Sequence, residues 1–112
     1  MVYCFDLDGT LCNTDGNNYS DSTPKKNRID IVNKLFDEGH TIIIDTARGS
    51  VSGKNYFFFT VNQLKSWGVK FHTVRTGTKI GADIFIDDKG VQDKQFFQDY
   101  SFTINIYEII TS

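Results

Sequence analysis

A chain of 112 residues, 39% hydrophobic and 23% charged, can bury one core and has no room for a second. Its net charge of −2 offers no broad attraction to a nucleic-acid backbone or an acidic membrane. The opening "MVYCFD" carries no basic stretch, no apolar run is long enough to span a bilayer, and Cys4 and Cys12 are too few for a disulfide framework or a zinc site. A single domain over residues 1–112, cytoplasmic and with reduced thiols, is the expectation.

"VYCFDL" (2–7) is a short β-branched and aromatic run and predicts a buried strand. The polar stretch that follows predicts a small hairpin at about 11–22, with Asp15-Gly16 at its tip. Thr23 is a candidate helix N-cap and Pro24 a first helical residue. Ile29, Val32, Leu35 and Phe36 then recur at helical spacing up to a stop at Gly39. "HTIIIDTAR" reads as a central strand and "GSVSGKN" (49–55) as a loop. A second helix runs through "YFFFTVNQLKSWG", with Phe57, Val61 and Leu64 on its apolar face. "VKFHTVRTG" and "ADIFIDD" predict a third and a fourth strand, "VQDKQFFQDY" a last short helix, and "SFTINIYEII" an edge strand. Strands alternating with helices predict an α/β domain around a mostly parallel sheet.

In such sheets ligands gather at the carboxyl ends of the strands. Those ends carry Asp6 and Asp8, then Asp45-Thr46-Ala47-Arg48, then Thr76-Gly77-Thr78-Lys79, then Asp87-Asp88. Residues two apart on a strand share a face, so Asp6 and Asp8 repel each other unless something positive holds them. Oxygen-rich acidic clusters suit Mg²⁺, and a lysine, a threonine hydroxyl and an arginine suit a phosphate. A carboxylate beside both can act as a nucleophile and form an aspartyl-phosphate. Plainer readings stand beside these. Asp8-Gly9 could be an ordinary turn, Asp87-Asp88 a solvated acidic turn, Thr46 a helix N-cap and Arg48 a surface cation. Asp45, on the face opposite Thr46, reads as structural, and His40 and His72 read as ordinary turn and strand residues.

"DLDGT", "IIIDTAR", Lys79 and "IFIDD", in that order, resemble the four motifs of haloacid dehalogenase-like (HAD) phosphohydrolases. The resemblance runs from Val2 to about Gly90. It implies a Rossmann-like three-layer sandwich, a capless core because the gaps between motifs leave room only for a flap, and a Mg²⁺-dependent phosphatase. By position, Asp6 would be the nucleophile and Asp8 the acid that protonates the leaving alcohol and then activates water. Thr46 and Lys79 would hold the transferring phosphoryl group, with Gly9, Thr10, Ala47 and Arg48 around it. Asp6, Asp8 through its backbone carbonyl, Asp87 and Asp88 would surround the metal.

"TARG", "QLKSWGVKF" and "GADIFIDDKG" are further similar to a group of small phosphatase-like proteins of capsular and surface polysaccharide synthesis, although "GTKIGAD" replaces their usual Gly-Lys-Pro. That likeness makes a small sugar phosphate the expected substrate. The alternatives are a polynucleotide 3′-phosphatase, disfavoured by the acidic charge, and a phospho-acceptor signalling domain, disfavoured by the order of the acidic motifs. An open site and the aromatic-rich segments "NYFFF" and "QFFQDYSFTINIY" lead to the expectation of a homo-oligomer.

Overall fold

The structure, a computed structural model, describes residues 1–99. It falls into two compact units, Met1–Ala82 and Asp83–Ser112. The edge strand expected in "SFTINIYEII" lies outside the described residues.

The first unit is built on a three-stranded parallel sheet in the order β1 (Val2–Phe5), β4 (Thr41–Thr46), β5 (Thr73–Thr76). The triple isoleucine is central, as its apolarity implied. Its register sets Phe5 beside Ile44 and Ile44 beside Val74. Alternation then puts Phe5, Ile42, Ile44, Thr46 and Val74 on one face, and all five are buried. Burying Ile42 and Ile44 completely contributes about 1.5–3 kcal/mol each.

Helix α1 (Lys26–Asp37) covers this core with Ile29, Ile31, Val32 and Leu35. Phe36 sits at the margin, its ring stacked on His72 at 4.6 Å. The left-handed Gly39 (φ 95°) ends the helix. The beginning differs from the expected one. Thr23 and Pro24 form β3, which pairs antiparallel with β2 (Cys12–Asn13), and Lys25 occupies the N-cap position. Pro24 is tolerated there because an edge strand need not use its amide in the ladder. Lys25 instead donates its amide to the Leu11 carbonyl at 2.9 Å, so hairpin closure sets where the helix starts. A short 3₁₀ turn, Tyr19–Asp21, lies within the hairpin.

Helix α2 (Phe57–Ser66) buries Thr60 and Leu64. The expected stripe through Phe57 is one turn-position out: Phe57 lies in the first turn and is exposed. Thr60 goes inward because its hydroxyl meets a buried guanidinium, described below. In the loop before α2, Gly49 has φ 84°, and a Cβ there would lie 2.3 Å from the Lys54 carbonyl oxygen. Gly49→Ala is therefore expected to destabilise the protein by about 2 kcal/mol, read as a lowered urea midpoint at unchanged slope.

In the second unit, residues 93–99 are helical, as expected, with Phe97 buried. The fourth strand is not formed. Ile84, Phe85 and Ile86 pair with no strand among the described residues and are 77%, 63% and 97% exposed. Apolar β-branched composition is only a propensity, and a strand exists when a neighbour takes up its N–H and C=O groups.

Candidate active site

The turn after β1 is organised around one buried residue. Leu7 is wholly buried, and its carbonyl accepts hydrogen bonds from the amides of Thr10 (3.0 Å), Leu11 (2.8 Å) and Cys12 (3.3 Å). Regular strand ends at Phe5, yet the in–out alternation continues, so Asp6 and Asp8 flank Leu7 on the accessible side. Gly9 turns the chain at φ 85°. Its amide donates to the Cys12 carbonyl at 2.9 Å, so the amides of Gly9 and Thr10, expected to face a phosphate, here hold the turn itself. Two cations of α1 and its cap pin the same turn, Lys25 Nζ on the Gly9 carbonyl (3.1 Å) and Arg28 Nη1 on the Thr10 carbonyl (2.9 Å).

The two aspartates are held in opposite ways. Asp6 Oδ1 pairs with Lys79 Nζ at 3.0 Å, and Asp6 Oδ2 accepts from the Thr10 hydroxyl at 3.4 Å. The Asp6 side chain remains 42% exposed and open to a reactant. The missing Gly-Lys-Pro does not stop the lysine after β5 from reaching this carboxylate.

Asp8 is half-buried. Arg48 grips it with both arms, Nε to Oδ2 at 2.9 Å and Nη2 to Oδ1 at 2.8 Å. Thr14 adds a hydroxyl to Oδ1 at 2.6 Å, and Thr46 one to Oδ2 at 3.4 Å. Burial raises the Asp8 pKa, but the Arg48 and Thr14 hydrogen bonds and the Arg48 charge outweigh it and hold the group below its ordinary value. Asp8 is therefore a carboxylate here, the form that accepts a proton.

Arg48 is not the surface cation or phosphate contact expected of it. It is 1% exposed. Its remaining nitrogen, Nη1, donates to Gln63 Oε1 at 2.7 Å and to Thr60 Oγ1 at 3.4 Å, and its plane lies 4.5 Å from the centre of the Tyr19 ring. A guanidinium with every arm engaged serves Asp8 rather than a ligand. Thr46 is also buried, its hydroxyl accepting from the Arg48 amide at 3.3 Å, whereas Ala47 is exposed.

The first unit thus brings Asp6, Asp8, Thr10, Thr46, Arg48 and Lys79 to the carboxyl ends of β1, β4 and β5. Asp87 and Asp88 belong to the second unit, where Asp87 Oδ1 accepts from the Lys89 amide at 2.9 Å. That bond, joined by others from Asp88, holds the Asp87 carboxyl below its ordinary value. Among the described residues no three His, Cys, Asp or Glu side chains group so as to hold a metal ion.

The model of one family, described as haloacid dehalogenase-like hydrolase, matches residues 3–104, which is most of the chain and includes Asp6, Asp8, Thr46, Arg48 and Lys79. The chain belongs to the haloacid dehalogenase-like hydrolases. The crystal structure of a protein from Vibrio cholerae superposes with a TM-score of 0.77 at 22% identity, covering 89% of this chain and 93% of that one, a likeness of fold. No protein with curated annotation matches the chain. Among the described residues no helix is long and apolar enough to cross a membrane.

Within this HAD-like hydrolase, four residues of the site had not been singled out: Thr14, Tyr19, Thr60 and Gln63. Thr14 was within reach, since it shares the alternation of Cys12 in the flap. Thr60 and Gln63 are polar residues at helical spacing beside Leu64, an interruption of the apolar stripe that signals a buried polar partner. Nothing local marks Tyr19. Asp45, read as structural, has one buried oxygen, Oδ1, with no hydrogen-bond partner among the described residues.

Proposed function

We propose that this hydrolase is a phosphomonoester phosphatase in which Asp6 is the nucleophile and Asp8 the proton-transfer group. The observation that carries the reading is the contrast between the two carboxylates. Asp6 is the more open and is held by a lysine, while Asp8, two residues on, is half-buried and oriented by a buried arginine. That contrast supports a role for the first in meeting a phosphorus atom and for the second in moving a proton.

In the proposed reaction an Asp6 oxygen attacks phosphorus in line with the ester oxygen. The P–O ester bond breaks as the new P–O bond forms, giving an acyl phosphate on Asp6. Lys79 draws on the phosphoryl oxygens, while the buried Thr46 hydroxyl, expected to do the same, supports the Asp8 carboxylate instead. Asp8, a carboxylate at rest, takes the proton of a monoprotonated phosphate ester and passes it to the leaving alcohol. As a carboxylate it takes one from the water that hydrolyses the acyl phosphate.

Family membership implies a divalent cation, and in the first unit Asp6 and the main-chain carbonyl of Asp8 are hard oxygens of the kind that Mg²⁺ takes. Asp87 and Asp88 are proposed as further ligands on their sequence motif alone. When bound, the ion offsets negative charge on the phosphoryl group.

The substrate proposed is a small sugar phosphate. Beside the motif turn lies a depression of about 420 Å³ lined by Gly9, Asn13, Thr14, Asp15, Asp21 and Thr23. Such a lining matches a hydroxyl-rich leaving group and offers no cation to a second phosphate. The motif likeness to polysaccharide-associated phosphatases supports the same class. Self-association belongs to the reading too, since Phe58 is 73% exposed beside the partly exposed Phe57 and Phe59. Sedimentation as a monomer at all concentrations would remove that part.

The test is phosphate release from sugar phosphates, nucleotides and a 3′-phosphorylated oligonucleotide, with Mg²⁺ and with chelator. Metal-dependent release, fastest from a sugar monophosphate, is expected. Preference for the oligonucleotide would transfer the proposal to polynucleotide repair chemistry. Absence of release from every ester would overturn it.

A further inference from the structure

Gln63, on α2, joins two parts of the molecule that lie far apart in sequence. Its Oε1 accepts from Arg48 Nη1 at 2.7 Å, and its Nε2 donates to the Tyr19 carbonyl in the flap at 2.7 Å. The orientation of the amide follows from its partners, because a guanidinium can only donate and a carbonyl can only accept. Tyr19 is held a second time through its ring, which lies 4.5 Å from the Arg48 guanidinium carbon and packs edge-on against Tyr56. The far side of the guanidinium holds both oxygens of Asp8. A continuous polar path therefore runs from the flap, through Gln63 and Arg48, to Asp8.

The flap touches Asp8 by another route as well. Thr14 donates to Asp8 Oδ1 at 2.6 Å and is itself 2.6 Å from the Ser22 hydroxyl on the opposite arm of the hairpin. Both arms of the flap and one helix thus converge on a single carboxylate. The glutamine amide is neutral and accepts from the arginine and donates to the carbonyl at once. Glutamate would keep only the acceptor, lysine would oppose the guanidinium, and leucine would supply neither.

We infer that Gln63 is a positioning residue, which seats the flap and the Arg48 guanidinium as one unit and so sets the pose of Asp8. The inference rests on the reading of Asp8 as the proton-transfer group. In it, the flap is both a wall of the substrate depression and a structural support of the chemistry. A substrate that shifts the flap shifts Asp8 with it.

The experiment compares wild type, Gln63→Leu and Gln63→Glu as full chains. Amide hydrogen exchange over flap residues 14–22 is read on the resting protein, and kcat and KM are read on the best sugar phosphate. Both variants are expected to raise flap exchange about tenfold, the effect of losing one strong polar anchor. Gln63→Leu is expected to lower kcat about tenfold with KM within about twofold, and Gln63→Glu, which keeps the acceptor for Arg48, to lower it less. Gln63→Glu, of native size and shape, carries the comparison if Gln63→Leu is too unstable to assay. A loosened flap with unchanged kcat, or a rise in KM alone, would overturn the positioning role. Unchanged flap exchange would overturn the anchor itself. That readout needs no turnover, so it is distinct from a failure of the phosphatase reading.

Discussion

Asp6→Asn is expected to lower kcat for phosphate release by on the order of 10⁴-fold or more, with the fold retained. The amide has nearly the shape of the carboxylate but no oxygen able to form the acyl phosphate, so the loss falls on chemistry. The stability change is expected to be small for two reasons. The Asp6 side chain is 42% exposed, and its partner Lys79 is 28% exposed, so the ion pair resembles a surface bridge worth about 0–1 kcal/mol. Removing the pair also leaves no charge stranded in the interior, since the Lys79 ammonium still meets solvent. Phosphate release and thermal melting, measured on the same preparation, check both halves. A variant within tenfold of wild-type kcat would exclude Asp6 as nucleophile.

Arg48→Ala is expected to act in the reverse proportion, with stability failing first. The guanidinium is buried, and its removal strips Asp8 of two charged donors, Gln63 and Thr60 of a partner, and the Tyr19 ring of its cation. Breaking a buried pair from one side costs about 3–5 kcal/mol, and the 26% exposure of the Asp8 side chain places the expected value near the lower end, about 3 kcal/mol. In a chain of this size that lowers Tm by more than about 10 °C. Arg48→Lys is expected to recover only part of the loss, because one ammonium cannot reproduce two parallel bonds while also reaching Gln63.

The same pair sets a sign for pH dependence. The folded-state pKa of Asp8 lies below its unfolded value, so its contribution is fully present above the unfolded pKa and is lost as pH falls through the folded one. Acid melts of chelator-treated protein should show wild type losing stability below about pH 4 more steeply than Arg48→Ala. Parallel acid limbs would show that the pair contributes nothing that titrates.

Much of the site was legible because it depends on local rules. Asp6 and Asp8 were placed on one side by alternation about an apolar residue, and Leu7 is that residue. Thr46 was found as a polar residue ending an apolar run, and β4 ends on it, whereas Lys79 was marked by the motif resemblance and lies in the loop after β5. What could not be read locally was the fate of Arg48. Beside Thr46 it looked available to an anion, but its partners come from the flap and from α2, and no spacing rule connects Tyr19, Thr60 and Gln63 to it.

Competition between local preferences explains the other differences. Thr23-Pro24 suits a helix start, yet hairpin closure against Cys12 and Asn13 takes those residues first. Phe57 is more apolar than Thr60, yet Thr60 is buried because Arg48 is. Ile84-Phe85-Ile86 has strand composition, and composition does not supply a hydrogen-bonding neighbour.

The central claim, that Asp6 carries the phosphoryl group, is tested most directly by trapping. With an aryl phosphate the leaving group needs no proton, so Asp8→Asn should still form the acyl phosphate on Asp6 but should hydrolyse it slowly. Quenching that mixture, reducing with borohydride and sequencing the peptide containing residues 2–10 by mass spectrometry should reveal homoserine at position 6. An unmodified Asp6 in a sample that has released the aryl alcohol would contradict the account.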